Sequence, residues 1–505
     1  MKQTKSLSFL LLFLFVISSN GWASERFKTD SEERPNIVFF SFDDLNDWIN
    51  PLGYQQAITP NLNRLAESGI MFTNAHAPGV YCAPSRTAIF SGLQASTTGC
   101  YTDEVYFHDY PDLVSLQMAF QQGGYSTWGA GKLFHHRAGM VDLRGWNEFF
   151  ARSREIKEMG YEMGSRGSDV LLPDPYPYSS YHRKTGKELT GGHFLEWGPV
   201  PDSLEDRMIP DMRTKWACDV LKQSHDKPFF LALGLYVPHY PNYTPQKYFD
   251  MYDLNQIQVP YLKKDDLDDL PDGIRNRMIN RRRMHLEVLE GIDAYRDAVR
   301  GYLAAISYGD AMLGRLLDAI EAGGHVDNTI VIVWSDHGYH LGEKGQWGKH
   351  TLWKQTTRVP LIFAGKGVAK NKEVNATVGL IDLYPTLIDL CELPEQHQMD
   401  GISLAPVLKN PVSAIDRDLL IPNLEPESYA VVNENWRYIL YSDKTEELYN
   451  VKDDPDEWYN LAGDANYRSV IEDLRKAAPD FHPGATPKKD LELVIEGETF
   501  HWKLK

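Results

Sequence analysis

"NIVFFSF", residues 36–42, is an almost unbroken apolar run that leads directly into two acidic residues, Asp43 and Asp44. A short continuous apolar run of this length is typical of a strand buried on both faces of a parallel sheet. Four later runs have a similar character: GYSTWGAG (124–131), PFFLALGLYV (228–237), TIVIVWS (329–335) and PLIFAG (360–365). Helical patterns separate them, so the sequence predicts an α/β fold with a parallel sheet covered by helices on both faces.

Two helices are predicted with particular detail. In TPNLNRLAESG, residues 59–69, Thr59 is expected as the N-cap, Pro60 as the first helical residue and Gly69 as the terminator. Apolar residues recur at helical spacing through 301–324. In contrast, residues 151–227 are rich in Gly, Pro, Tyr and charge, which predicts long loops on the functional face.

Both ends of the chain differ in character from its middle. Residues 1–23 combine Lys2 and Lys5, a short apolar run and small residues near Ala23, which is the pattern of a secretory signal peptide. We therefore expect an exported protein, periplasmic or secreted (lysosomal if the source is eukaryotic), with no membrane span after signal removal. WRYILYS, EELYNV and NYRSVIEDLRKAA predict a small antiparallel sheet with a helix in an α+β subdomain at 406–505, after a main domain at 24–405.

Charge and cysteine content narrow the possible functions. The formal net charge is −18, which argues against nucleic-acid binding, because that function needs a basic surface. An anionic substrate would need a local group of cations. The four cysteines, Cys82, Cys100, Cys218 and Cys391, could form two disulfides in an exported chain.

Polar side chains follow four of the predicted strands at the point where each strand ends. They are Asp43 and Asp44, Lys132 and His135, His239, and Asp336 and His337. Ligands of α/β sheets collect at the carboxyl ends of the strands, so this pattern predicts an active site there. The carboxylates favour a hard divalent ion such as Ca²⁺ or Mg²⁺, while the imidazole leaves Mn²⁺ or Zn²⁺ open. Adjacent acids alone could also cap a helix or face solvent.

A cysteine lies at the start of another predicted helix. In GVYCAPSRTAIFSG, residues 79–92, Pro84 suits the first helical turn, which places Cys82 beside the helix N-terminus and Arg86 one turn later. That end attracts anions, and the fork of donors of arginine suits tetrahedral oxyanions. Further cationic or proton-carrying candidates are Lys132, His135, His239 and Lys349.

These motifs together resemble the formylglycine-dependent sulfatases of the alkaline-phosphatase-like superfamily. CAPSR at 82–86 matches the Cys-x-Pro-Ser-Arg core of that family, and GYSTWGAGK at 124–132 matches its second signature. FSFDD, VPH at 237–239, SDHG at 335–338 and DGISLAPVL at 400–408 are also similar to family segments. The resemblance covers most of the chain after the signal and implies a large mixed, mostly parallel sheet with a smaller C-terminal antiparallel sheet.

The resemblance also implies a chemistry. A maturation enzyme would oxidise Cys82 to formylglycine (3-oxoalanine), and an oxygen of the hydrated aldehyde would attack sulfur. The deprotonated second hydroxyl would then expel sulfate. It implies one divalent ion, expected to be Ca²⁺, and a transition state stabilised by Arg86, Lys132 and the helix N-terminus. The implied metal ligands are Asp43, Asp44, Cys82, Asp336 and His337.

Three further residues receive roles from the resemblance. His135 would handle the diol proton, whereas His239 and Lys349 would lie on the leaving-group side, with His239 as general acid. Two features depart from the common pattern. His337 stands where many members have Asn, and KLFH at 132–135 adds one residue before the histidine. Both variants resemble the iduronate 2-sulfatase branch, which implies a sulfated sugar substrate, such as a 2-O-sulfated uronic acid.

Two other functions remain open at this level. A formylglycine-dependent phosphodiesterase or phosphonate hydrolase would use the same scaffold, and assays of sulfate and phosphate esters side by side would separate the two. An exported glycan-binding protein without turnover is the second alternative. The complete polar set disfavours that alternative, because binding alone does not require Cys82.

Overall fold

The computed structural model describes residues 34–135, 141–150, 196–394, 396–413, 415–479, 482–496 and 499–505. The strands of this part of the chain are β1 (Asn36–Asp43), β2 (Gly69–Phe72), β3 (Ala75–His76), β4 (Ser126–Gly131), β5 (Glu148–Phe150), β6 (Trp197–Val200), β7 (Phe229–Pro238), β8 (Asn242–Pro245), β9 (Thr329–Ser335), β10 (His340–Leu341), β11 (Trp347–Gly348), β12 (Leu361–Gly365), β13 (Lys372–Val374), β14 (Val378–Gly379), β15 (Leu419–Pro422), β16 (Tyr429–Val432), β17 (Trp436–Leu440), β18 (Glu446–Asn450), β19 (Leu491–Glu496) and β20 (Thr499–Leu504). The helices are α1 (Pro60–Glu67), α2 (Cys82–Ser91), α3 (Ala95–Thr98), α4 (Tyr106–Asp109), α5 (Leu116–Gln122), α6 (Ile209–Leu221), α7 (Gln246–Asp250), α8 (Asp272–Met284), α9 (Leu286–Gly291), α10 (Tyr295–Ala322), α11 (Lys354–Thr357), α12 (Leu383–Cys391), α13 (Ala405–Lys409) and α14 (Arg468–Arg475).

An eight-stranded sheet, in the order β13-β2-β12-β9-β1-β7-β4-β5, forms the centre of the fold. All eight residues of β1 are buried. Alternate side chains of β1 enter different cores: Val38 and Phe40 pack in one cluster, while Ile37 and Phe39 pack in the other. The period of two in a strand therefore places apolar groups on both faces, which explains the continuous apolar run.

The mostly parallel sheet confirms the predicted fold class. β1 pairs in parallel with β7 and β9, and β4 pairs in parallel with β7 and β5. The prediction that PLIFAG forms a parallel strand is wrong, because β12 runs antiparallel to both β9 and β2. An apolar run specifies burial, whereas the direction of a strand depends on the connection that precedes it.

The first predicted helix is present with different ends. α1 ends at Glu67, and Gly69 already belongs to β2. Thr59 occupies the N-cap position without a capping side-chain bond. Instead, Asp310 of α10 accepts hydrogen bonds from the backbone N–H groups of Asn61 (3.1 Å) and Leu62 (2.8 Å). A distant carboxylate therefore takes the role that sequence alone gives to the threonine.

Two other expectations need correction. Residues 209–221 form helix α6 although 151–227 was predicted as loops; α6 buries Ile209, Ala217 and Leu221. Residues 151–195 of that stretch lie outside the described part of the chain. All four cysteines are free, so the possible disulfides do not form in this structure.

The C-terminal region has the predicted architecture. β15, β16, β17 and β18 form an antiparallel sheet in chain order, and α14 packs its Ile471 and Leu474 against Val431 and Leu448. The boundaries at 23 and 405 stay predictions, and the expected signal peptide precedes the described residues. Within the described ranges, every helix is too short or too polar to span a bilayer.

Candidate active site

The candidate site forms at the sheet edge where β1, β4, β7 and β9 end. Asp43 closes β1, Lys132 follows β4, His239 follows β7, and Asp336 and His337 follow β9. All five side chains are at least 90% buried. Parallel pairing brings these strand ends together, so residues far apart in sequence become neighbours.

Cys82 is the first residue of α2 and contacts three of the predicted site residues. Its Sγ lies 3.4 Å from Asp43 Oδ1, 3.2 Å from His337 Nε2 and 3.2 Å from Lys349 Nζ. Burial raises the pKa of the Cys82 thiol well above its ordinary value, and Asp43 acts in the same direction. The unmodified side chain is therefore a protonated thiol at neutral pH, which is a weak nucleophile.

Asp43 is surrounded by cations. Lys132 Nζ donates to Asp43 Oδ2 at 2.8 Å, and Arg86 Nη2 lies 3.8 Å from Oδ1. Burial alone would raise the pKa of Asp43, but the permanent cations Lys132 and Arg86 hold it well below its ordinary value. Asp43 is consequently ionised, and the same attraction raises the pKa of Lys132.

Asp44 adopts a left-handed backbone conformation, with φ of 67°. Its Oδ1 accepts a hydrogen bond from Lys349 Nζ at 2.7 Å, whereas its buried Oδ2 has no hydrogen-bond partner within the described ranges. Burial, helped by the neighbouring Asp43 and Asp336, raises the pKa of Asp44 to about 7 although Lys349 opposes the shift. A buried carboxylate oxygen without a donor is an open position for a cation.

Arg86 links α2 to Asp336. Arg86 Nε donates to Asp336 Oδ2 at 2.8 Å, and Arg86 Nη2 donates to the Phe42 carbonyl at 3.2 Å. Ser85 Oγ donates to the Asp336 carbonyl at 2.5 Å. The guanidinium is 1% exposed, so its position is fixed by the strand ends around it.

The residues present fit a divalent ion. Asp43, Asp44, Cys82 and His337 each offer one ligand atom, and these four atoms lie within 4.8 Å of one another. Asp336 adjoins the group, with its Oδ2 at 3.8 Å from His337 Nε2, and is engaged by Arg86. Two carboxylate oxygens with one imidazole nitrogen and one sulfur, together with the Asp44 Oδ2 that has no hydrogen-bond partner among the described residues, suit a cation better than a purely internal hydrogen-bond network.

Two histidines of the site are held neutral by their surroundings. Burial lowers the pKa of His337 to about 4 and that of His239 well below its ordinary value, and Lys349 adds to both shifts. His337 Nδ1 lies 3.0 Å from the Gly338 carbonyl, and His239 Nε2 lies 3.8 Å from Asp44 Oδ2. Neutral imidazole can bind a metal or accept a proton.

His135 contacts a residue that the sequence analysis did not identify as part of the site. Its Nε2 lies 2.9 Å from the hydroxyl of Tyr81, the residue before Cys82, and 3.8 Å from Asp103 Oδ1. Tyr81 could have been identified from its position next to Cys82 in the sequence, whereas no sequence pattern indicates Asp103. Tyr236 was also missed; Lys132 Nζ lies 4.3 Å from the centre of its ring.

The cluster has the charge balance of an anion site once a cation is added. Three carboxylates (Asp43, Asp44, Asp336) face three permanent cations (Arg86, Lys132, Lys349). A divalent ion would therefore make the cluster net positive. Such an arrangement can hold a tetrahedral dianion and stabilise charge on it during reaction.

Comparisons with known proteins agree with this chemistry. The family model described as Sulfatase matches residues 35–393, and the model for the C-terminal part of N-sulphoglucosamine sulphohydrolase matches residues 342–481. A sulfatase of Formosa agariphila is 36% identical over 496 residues, which span 94% of this chain and 92% of that protein. Human iduronate 2-sulfatase is 27% identical, across 78% of this chain and 72% of its own length.

The fold is shared with solved structures. The phosphonate monoester hydrolase of Agrobacterium radiobacter superimposes with a TM-score of 0.70 and 19% identity, covering 88% of this chain and 94% of that one. The family model covers well over half of the chain, and the Formosa relative is aligned over nearly its whole length. The chain therefore belongs to the sulfatase family, with its alkaline-phosphatase-like fold, and is a sulfuric ester hydrolase.

Proposed function

We propose that this chain is an exported sulfatase that removes sulfate from a glycan through a formylglycine formed at Cys82. The observation that carries the proposal is the position of Cys82 at the start of α2, within 3.4 Å of Asp43, His337 and Lys349. A buried thiol with a raised pKa has little use as a nucleophile in its own right. Formylglycine at this position would supply, as its hydrate, an oxygen nucleophile that could displace the sugar oxygen from sulfur.

Asp43, Asp44, Asp336 and His337, with the modified residue 82, are proposed to hold one Ca²⁺ ion. When bound, the ion supplies positive charge and Lewis acidity for the sulfate oxygens. Oxygen ligands favour a hard ion, and the unpartnered Asp44 Oδ2 supports a cation at this place. Its charge would balance the carboxylates that Lys132 and Lys349 contact here, which leaves both ammonium groups available to the substrate.

The remaining side chains divide between charge stabilisation and proton transfer. Arg86 and Lys132, with the N-terminus of α2, are proposed to donate to the sulfate oxygens as charge develops. His239 is the proposed general acid for the leaving oxygen, a role that requires its neutral imidazole first to take up a proton, and Lys349 lies on the same side. His135 is proposed to handle the proton of the nucleophile; its Nε2 contacts the hydroxyl of Tyr81, the residue that precedes Cys82 in the sequence.

The proposed substrate is a saccharide carrying a sulfated uronic acid, with the ester at the 2-position. The chain is 27% identical to human iduronate 2-sulfatase, and His239 and Lys349 could meet a sugar carboxylate as well as the leaving oxygen. Because the net charge of −18 repels an anionic sugar at long range, binding would depend on these local cations. Export and a maturation enzyme for Cys82 belong to the same proposal.

A screen of the matured protein against defined sulfated saccharides tests the proposal. Matched saccharides with and without the uronate carboxylate should differ in the rate of sulfate release, with the uronate preferred. Equal rates would contradict the uronate assignment. The absence of sulfate release from every saccharide would contradict the glycan assignment.

A phosphonate or phosphodiester hydrolase is the second candidate, because the phosphonate monoester hydrolase of Agrobacterium radiobacter has a similar fold. Assays with sulfate and phosphonate monoesters that share one leaving group separate the two functions. We expect the sulfate ester to give the higher kcat/KM. A higher value for the phosphonate would favour the second candidate.

A further inference from the structure

A solvent-open cleft with a cavity volume of about 270 Å³ lies between the main sheet and the C-terminal antiparallel sheet. Its walls come from the segments after β2 and β13, from α11 and its C-terminal neighbour Arg358, and from the β16–β17 turn. β2 runs antiparallel to β12, which runs antiparallel to β9, so β2 and β9 end at the same edge of the sheet. The cleft therefore opens near the sheet edge that carries the catalytic cluster, three strands away from β1.

Basic side chains in this cleft have unused donors. Lys452 is exposed, and its ammonium has no hydrogen-bond partner in the described part of the chain. Arg358 uses Nε on the Thr73 carbonyl (3.0 Å) and Nη1 on Asp47 (3.1 Å), whereas Nη2 has no partner among the described residues. Lys354 also lines the cleft, but its ammonium already donates to the Pro455 carbonyl at 2.7 Å and lies 3.7 Å from Asp456 Oδ1. The unused donors suit an oxyanion such as a sulfate ester or a carboxylate.

His76 adds a hydrogen-bond acceptor to the cleft, whereas the basic side chains offer only donors. The ring is 3% exposed and lines the cleft, and its Nε2 lies 2.9 Å from Asn74 Oδ1. Nε2 therefore donates, which leaves Nδ1 as an acceptor, and Nδ1 is buried without a partner within the described ranges. Burial, with Arg437, Arg358 and Arg417 nearby, lowers the pKa of His76 well below its ordinary value, so the ring stays neutral.

The cationic donors together with this acceptor favour the binding of a saccharide over that of an inorganic anion. An inorganic sulfate ion has no hydroxyl to donate to a neutral imidazole nitrogen, whereas a sugar has several. Trp436 also lines the cleft and offers an apolar surface, which suits a sugar ring. Asn375 adds an amide nitrogen on its wall, whereas the amide groups of Asn74 and Asn433 are already hydrogen-bonded to neighbouring groups.

We propose that this cleft is a second binding site, separate from the catalytic cluster, for an acidic saccharide. Its anionic group pairs with Arg358 and Lys452, and one of its hydroxyls donates to His76 Nδ1. None of these residues belongs to the proposed catalytic set. The site therefore binds saccharide whether or not Cys82 has been matured.

Calorimetric titration of the full chain carrying Cys82→Ala tests the proposal without turnover. The probe is a sulfated, uronate-containing tetrasaccharide. A second titration uses sodium sulfate at the same ionic strength. We expect two saccharide sites per chain, of which Arg358→Gln combined with Lys452→Ala removes one. Lys409→Ala, at an exposed lysine outside the cleft, is the matched control and should keep both sites.

If the double variant does not fold, the titration is repeated with Lys452→Ala alone. Lys452 is exposed and its ammonium has no hydrogen-bond partner among the described residues, so this substitution should not disturb the fold. It should weaken the second site by roughly two- to fivefold, the range of an exposed ion pair. A single saccharide site that the double variant leaves unchanged, or a second site that neither variant changes, would overturn the proposal; a single site that the double variant removes would instead contradict saccharide binding at the catalytic cluster. Sodium sulfate that fills the second site as tightly as the tetrasaccharide would also overturn it.

Discussion

In the proposed function, Lys349 contacts two parts of the substrate, the leaving oxygen and the sugar carboxylate. Its ammonium, 94% buried, contacts Asp44 Oδ1 at 2.7 Å and Cys82 Sγ at 3.2 Å. In Lys349→Ala, kcat/KM for a sulfated uronate should fall by about 10²–10³, as for the loss of a donor to developing charge. For the matched neutral sugar, kcat/KM should fall less, since only the contact between Lys349 and the leaving oxygen is lost.

Paired kinetics on the two saccharides measure this difference, with Lys409→Ala as the control. An equal loss on both substrates would contradict a contact between Lys349 and the carboxylate. It would restrict the lysine to the leaving oxygen.

Metal removal tests the carboxylate cluster. Stripping the ion should abolish turnover, and added Ca²⁺ should restore it. The melting temperature should fall as well, because a ligand that binds only the native state stabilises it. Activity and melting temperature measured before and after chelation check both effects; full activity in stripped protein would contradict the metal assignment.

Residue identity and strand position were enough to predict which side chains lie together at this edge of the sheet. Asp43, Asp336 and His337 follow buried strands, and a parallel sheet brings such strand ends together. Tyr81 and Asp103 were not predicted, since they meet His135 through loop geometry that no periodic pattern encodes. The roles that the family resemblance gives to these side chains stay predictions.

At the scale of single elements, the start of α1 depends on another helix. Asp310 Oδ2 accepts hydrogen bonds from the Asn61 backbone N–H (3.1 Å) and side-chain Nδ2 (2.8 Å), and Oδ1 accepts from the Leu62 N–H (2.8 Å). Asp310→Ala leaves these donors unpaired and should lower the free energy of unfolding by about 1–3 kcal/mol. Chemical denaturation measures the change, and Asp310→Asn, which keeps an acceptor, should lose less.

The same carboxylate gives a pH dependence with a definite sign. Burial raises the pKa of Asp310 from 3.8 to about 6, although its three hydrogen bonds oppose the shift. Between these values the folded state binds more protons than the unfolded state, so this contribution to stability falls as pH rises. The melting temperature of the parent minus that of Asp310→Asn should therefore decrease from pH 4 to pH 6; a constant difference would contradict the shifted pKa.

Element positions followed from the sequence more closely than element directions. TIVIVWS gave the bounds of β9 without error, because apolar content fixes burial. The antiparallel direction of β12 and the helix at 209–221 were missed. Both depend on tertiary contacts: β12 pairs between β9 and β2, and α6 packs against α10 and β7.

At the scale of the whole molecule, buried ion pairs join the C-terminal sheet to the catalytic region. Glu457 accepts hydrogen bonds from Arg437 Nε and from the Lys354 backbone N–H (3.0 Å), while its carbonyl accepts from Lys344. Glu457→Ala leaves the Arg437 guanidinium buried and unpaired, which should cost about 3–5 kcal/mol of unfolding free energy.

Thermal and denaturant unfolding check this loss against an exposed control, Glu434→Ala, which should change little. Unchanged stability in Glu457→Ala would contradict a structural role for the pair. The sequence predicted the sheet and helix of this region, but not the ionic contacts that attach them to α11.

The most direct test of the account is sulfate release by the Cys82→Ala variant, measured beside the parent after co-expression with a formylglycine-generating enzyme. The matured parent should release sulfate from a sulfated saccharide, and Cys82→Ala should release none while keeping the melting profile of a folded protein. Sulfate release by the variant at a rate comparable to the parent would contradict a nucleophile formed at Cys82.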